Sequence, residues 1–142
     1  MNMETEMDLY ALAAWRGYVE TRDRALLWNA LHPDVVFESP IAHTPQRGRE
    51  TAIKYLIGAA EVLGGPGFRF VEAWRNERGA VLELATEIDG VEINGVDIIT
   101  VDEAGLITNF KVMVRPLEAI RLLHRLMGAQ LEKSEPLYLE RD

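Results

Sequence analysis

Asp97, His43 and Tyr18 are the side chains of this 142-residue sequence whose types and settings best suit proton transfer. Asp97 stands in the alternating run from Glu92 to Val101. A strand of period two puts Gly95 and Ile99 on its face and the polar Asn94 and Thr100 on the other. A carboxyl desolvated by apolar neighbours has its charged form disfavoured, so its pKa rises and near neutral pH it can donate a hydrogen bond or a proton. His43, in the loop from Pro40 to Arg47, carries the side chain that titrates nearest physiological pH and is the usual general acid or base. Tyr18 and Tyr55 add phenols within reach of a shared pocket. Paired, Asp97 and His43 would shuttle a proton for an isomerisation, dehydration, cyclisation or hydration. Each also has a structural use: an inward acid can hold a helix or a buried water, a loop histidine can brace its loop, and Trp15 and Phe110 fill a core as readily as they form a ligand platform.

Other chemistries lack their parts. His32 and His43 are eleven residues apart and share no helix face, and His124 has no histidine at i+3 or i+4, so no metal-ligand pattern is present. With no cysteine there is no thiolate metal site, disulfide or cysteine nucleophile. Gly64-Gly65-Pro66-Gly67 lacks the lysine and the strand-to-helix setting of a phosphate loop and reads as a turn. Ser39, His43 and Asp97 have the residue types of a hydrolase triad, but no nucleophile elbow or glycine-rich oxyanion loop surrounds Ser39. The expectation is chemistry without metal or cofactor.

Composition agrees with one small domain. The hydrophobic share is 48% and the charged share 27%, ordinary for a globular chain that buries roughly two-thirds of its unfolded surface. Fifteen Lys and Arg against twenty-three Asp and Glu give a net charge of -8, which repels nucleic acid and anionic bilayers alike. No apolar run approaches a membrane span, and the acidic stretch Met1 to Asp8 has no basic export signal, so the expected location is cytoplasmic.

The elements that must position these groups follow from periodicity. A helix is expected over Leu9 to Glu20 with Asp8 as its N-cap. A short one follows over Asp23 to Leu31, stopped by His32-Pro33. A third runs over Glu50 to Leu63 and ends at Gly64 as a left-handed cap. Strands are expected at Val35 to Ser39, Phe68 to Arg75, Ala80 to Ile88, Glu92 to Val101 and Leu106 to Val114. The last four form an antiparallel meander through short glycine-containing turns. Trp74, Phe68 and Phe70 read as one inward strand face. Pro116 opens a final helix to about Glu132, and residues 133–142 form a loose charged tail. The order describes an α+β domain with helices covering one face of a curved antiparallel sheet.

The stretch Leu31-His-Pro-Asp-Val-Val-Phe-Glu-Ser-Pro40, followed by Gly48-Arg49-Glu50 and a helix, resembles the nuclear transport factor 2-like superfamily. So does Asp97-Ile-Ile-Thr-Val-Asp-Glu-Ala-Gly-Leu-Ile107 running into Phe110-Lys-Val-Met-Val-Arg-Pro116. The likeness spans about residues 8–132 and is nearest the polyketide-cyclase-like (SnoaL-like) and ketosteroid-isomerase-like branches. It implies a cone-shaped fold, a strongly bent sheet wrapped around helices, with an apolar pocket for a small molecule and a homodimer through the outer sheet face. It also implies that Asp97 faces inward, at the place where ketosteroid isomerases hold a neutral carboxylic acid beside the developing enolate oxygen. The implied pocket lining is Trp15, Phe37, Ser39, Tyr55, Leu82, Leu84, Thr86, Ile99, Phe110, Val112 and Val114, with Asp97, His43 and Tyr18 as the catalytic candidates. Two positions depart from the isomerase pattern. Its helix tyrosine falls at Trp15 and its general-base aspartate at Ser39, which disfavours ketosteroid isomerisation by that route. A cofactor-independent isomerase, cyclase or dehydratase acting on an apolar carbonyl- or hydroxyl-bearing molecule is expected, with a non-catalytic binding or dimerisation module as the alternative.

Overall fold

The computed structural model describes residues 3–140, with side chains over residues 10–133. Helix α1 spans Met3–Thr21, so Asp8 lies inside it and is not its cap. Helix α2, Arg24–Ala30, starts as expected at Asp23, whose carboxylate accepts the Ala25 N–H at 3.1 Å. It ends at Ala30, and the chain passes straight into strand β1, Leu31–Glu38. His32-Pro33 is therefore inside a strand and does not terminate a helix. The strand tolerates proline because its register against the neighbouring strand shifts between Leu31 and Val36, which leaves this stretch outside the ladder.

Strand β2 is the two-residue Gln46–Arg47, and helix α3 spans Arg49–Leu63. Gly64 after it has φ −82° and is not left-handed. Glycine is required there for space, because a Cβ would collide with the Ala60 carbonyl and the Arg22 guanidinium. Strands β3 (Arg69–Asn76), β4 (Gly79–Ile88), β5 (Val91–Val101) and β6 (Ile107–Arg115) form the expected antiparallel meander. Helix α4, Leu117–Glu140, continues past Glu132 through most of the expected loose tail; Arg141 and Asp142 lie outside the described residues.

The sheet order is β2-β1-β6-β5-β4-β3, and β1 runs parallel to β6. The sheet is thus mixed, curved and unclosed, where a purely antiparallel one was expected, and the domain is α+β with a cone-like shape and a C-terminal helix. A second correction concerns Trp74. The register of β3 against β4 shifts between Phe70 and Glu72, which reverses the alternation and turns Trp74 outward, 50% exposed, while Phe70 packs against the core.

Two apolar clusters hold the layers together. One packs Trp15 and Leu12 of α1, Leu27 of α2 and Leu56 of α3 onto Phe37, Leu82, Ile99 and Phe110 of the sheet. The other seats Ala119, Leu122 and Leu123 of α4 against Leu63 and Ile93. No helix among the described residues is long and apolar enough to cross a membrane.

Candidate functional site

The strand alternation around Asp97 is as the sequence implies. Ile93, Gly95, Asp97 and Ile99 are buried in succession along β5, with the residues between them more exposed. Asp97 pairs with Leu82 on one side and Val112 on the other, so its carboxyl projects from the middle of the concave face. It is 3% exposed. Directly above it, α1 brings Trp15 down onto the sheet, and the indole Nε1–H donates to Asp97 Oδ2 at 3.1 Å. The indole is fixed in turn by Phe110, edge-on at 5.0 Å, and by the stacked Tyr18 ring at 6.1 Å.

Two opposed effects set the Asp97 titration. Burial disfavours the carboxylate and raises the pKa; the charge-assisted bond from Trp15 favours it and lowers the pKa. Burial wins, and the group is pushed up to about 7. An indole N–H can only donate, so Oδ2 is engaged as an acceptor and Oδ1 remains to meet whatever approaches the carboxyl.

What borders Asp97 is a void of about 30 Å³, lined by Trp15 and Val19 of α1, Leu56, Ala59, Ala60 and Leu63 of α3, then Gly64, Phe68, Leu84, Phe110 and Val112. Asp97 is the one ionisable side chain in that lining. The volume has room for a water or two. A ring-bearing molecule enters only if side chains around the void move.

A family model described as "SnoaL-like domain" matches residues 12–110. The chain belongs to the SnoaL-like domain family. Solved structures similar to this SnoaL-like domain include a steroid delta-isomerase from Pseudomonas aeruginosa, 29% identical over 94% of this chain and 95% of that one, with a TM-score of 0.76. An uncharacterised protein with a cystatin-like fold from Silicibacter pomeroyi is 26% identical over 92% of each chain, with a TM-score of 0.81. An NTF2-like protein from Mesorhizobium loti, 19% identical over 82% of this chain and 97% of that one, shares the fold at a TM-score of 0.67. No curated protein matches the sequence.

Within the SnoaL-like domain the residues singled out from sequence separate into three places. Trp15, Leu84, Phe110 and Val112 border the void with Asp97. Phe37, Tyr55, Leu82 and Ile99 belong to the packed cluster behind it; Phe37 stands 5.9 Å from the Tyr55 ring and 6.1 Å from Phe110. Tyr18 is buried, and burial raises its pKa. Its ring lies 5.9 Å from the Arg22 guanidinium, and Tyr18 is not among the residues that line the void.

His43 and Ser39 are elsewhere. With Val114 and Val112 they line a separate open groove of about 350 Å³ where β6 extends beyond the end of β1. His43 is exposed, and the Ser39 hydroxyl accepts the Ile41 N–H at 3.1 Å. Val112 is the one residue common to the groove and the void. The expected Asp97 and His43 pair is therefore not in contact. Thr86 is buried on the Asp97 face four residues further along β4 and lines an outer cleft beside Gly67 instead. Leu56, Ala60 and Leu63 of α3, and Phe68, read from sequence as part of an inward strand face, line the void without having been assigned to the pocket.

Proposed function

We propose that this SnoaL-like domain is a small apolar-molecule pocket protein that moves a proton with Asp97, as a cofactor-independent isomerase, cyclase or dehydratase. The single supporting observation is a carboxyl with a pKa of about 7 as the only ionisable group on an apolar void. Such a group is populated in both forms near neutrality, so it can take a proton from one atom of a bound carbonyl- or hydroxyl-bearing molecule and return it to another. Trp15 steadies the carboxylate stage of that cycle through its bond to Oδ2. The likeness to a steroid delta-isomerase supports the reaction class. Trp15 and Ser39, standing at the isomerase tyrosine and base positions, argue against the usual two-residue route, since an indole is no acid and the Ser39 hydroxyl is engaged in its own turn. One group doing both halves of the transfer fits the lining better than an Asp97 and His43 relay.

The small volume of the void favours a second reading, in which the Asp97–Trp15 bond is a buried brace and the domain binds or dimerises without turnover. In either reading the protein acts in the cytoplasm and pairs as a homodimer through the outer sheet face. Support for pairing comes from Trp74, Val71 and Met113, about half exposed, with Val81 and Ile98 in register between Trp74 and Lys111. A thermal-shift screen of the wild type and Asp97→Asn against apolar steroids, polyketide-like aromatics, terpenoids and their epoxides, with turnover assays on each hit, separates the readings. The enzyme expects a ligand that raises the melting temperature of both proteins and is converted only by the wild type. Binding without conversion by either protein leaves the binding module, and no binding at all defeats the pocket.

A further inference from the structure

Arg22 is a non-glycine residue at φ 62°, the left-handed position that follows the last turn of α1. Glycine normally occupies this place, and a side chain there is retained when its own contacts hold the conformation. Arg22 has several such contacts. Nη1 donates to the Val19 carbonyl of α1, Nη2 to the Ala60 carbonyl of α3 at 3.1 Å, and Nε to Glu61 at 3.2 Å, while the guanidinium lies 5.9 Å from the centre of the Tyr18 ring. One side chain thus bridges the Val19 carbonyl and the Ala60 carbonyl, which also accepts the Gly64 N–H at 2.9 Å, near the C-terminal ends of two helices that otherwise make little backbone contact with each other.

The position of these partners matters more than their number. Val19 and Ala60 border the Asp97 void, and so does Gly64, whose missing Cβ leaves the space that the guanidinium fills. The guanidinium therefore spans the seam between α1 and α3 at the rim of the void. The opposite wall is strands β4 to β6, locked by their ladders. The Arg22 side chain is 32% exposed, and its ion pair with Glu61 is at the surface, where such pairs contribute little. Swinging outward, it keeps its charge in water, and the Ala60 carbonyl keeps its bond from the Gly64 N–H.

We propose that Arg22 is the access-determining residue of the Asp97 cavity, a latch between α1 and α3 that must release before bulk solvent, or any larger molecule, reaches the carboxyl. This goes beyond the choice between turnover and binding, since it concerns entry alone.

The test needs neither ligand nor turnover. The Trp15 indole proton, bonded to Asp97 at the void, exchanges with D2O only when solvent enters, and its rate is read from 15N-resolved spectra beside the backbone amide of Ile99, which reports unfolding of the sheet. Arg22→Gly removes the latch while suiting the left-handed backbone, so the fold should survive. The latch expects indole exchange at least tenfold faster than in the wild type with the Ile99 amide unchanged, and a smaller increase, about two- to threefold, in Glu61→Gln, which loses only the ion pair. An indole rate that is unchanged in Arg22→Gly, or that rises only in step with the Ile99 amide, overturns the proposal.

Discussion

The concave wall around Asp97 and the loop around His43 contain the two side chains best suited to acid–base work, and the fold treats them in opposite ways. Asp97 is enclosed by α1, α3 and three strands, with one directed donor, and its pKa is displaced to about 7. His43 sits exposed on a loop beside an open groove, and Val112 stands between that groove and the void. The difference teaches that the displaced titration comes from desolvation by the layers and not from residue type: the ordinary carboxylate is made unusual by its surroundings.

The largest expected effect is on stability. Between its ordinary value of 3.8 and about 7, folded Asp97 holds a proton that the unfolded chain has released. The raised pKa thus makes a contribution that is complete below pH 3.8 and is lost as pH rises to 7. At 1.36 kcal/mol per pKa unit the loss amounts to roughly 4 kcal/mol. Urea titrations should show wild-type stability falling by about that amount relative to Asp97→Asn between pH 4 and pH 8, then levelling off. A difference that is flat with pH would remove the contrast between the two regions.

Smaller, and sharper, is the effect of Trp15→Phe, which keeps a ring above the carboxyl and deletes its donor. Stability should fall by about 1–3 kcal/mol at pH 8, where the bond is charge-assisted, and by less at pH 5. Because the lost bond favoured the carboxylate, the Asp97 titration should move higher still. A downward move would mean that Trp15 acts through something other than this bond. The smallest effect belongs to His43→Ala: a stability change within about 0.5 kcal/mol and an unmoved Asp97 titration. If that titration does move, the groove and the void communicate through Val112 and the two regions are one site.

What could be read from sequence divides along range. The period of two around Asp97 and the glycine-containing turns are local, and they gave the meander and the shared face of Gly95, Asp97 and Ile99, while the resemblance said that this face is inward. The start of α2 at Asp23 and the span of α3 are local too. The parallel pairing of Val36 and Phe37 with Asn109 and Phe110 joins distant segments without a periodic signature, and β2 is too short to leave one. The shift at Val71 that turns Trp74 outward depends on cross-strand register, which alternation alone does not reveal. The bond between Trp15 and Asp97 closes 82 residues of chain. Each partner stood out for its own reason, one as an aromatic platform and the other as an acid, and nothing along the chain linked them. The expected His43 pairing is not in contact, and the loop of residues 39–45 has no period to say which way it folds.

The central claim is that burial holds the Asp97 carboxyl near neutrality in its titration. A 13C-resolved pH titration of the aspartate side-chain carboxyls in the wild-type protein, with Asp97 assigned by its absence in Asp97→Asn, measures it directly. The expected midpoint is about 7, apart from the other aspartates; a midpoint near 4 would show a carboxylate already ionised at working pH and contradict the account.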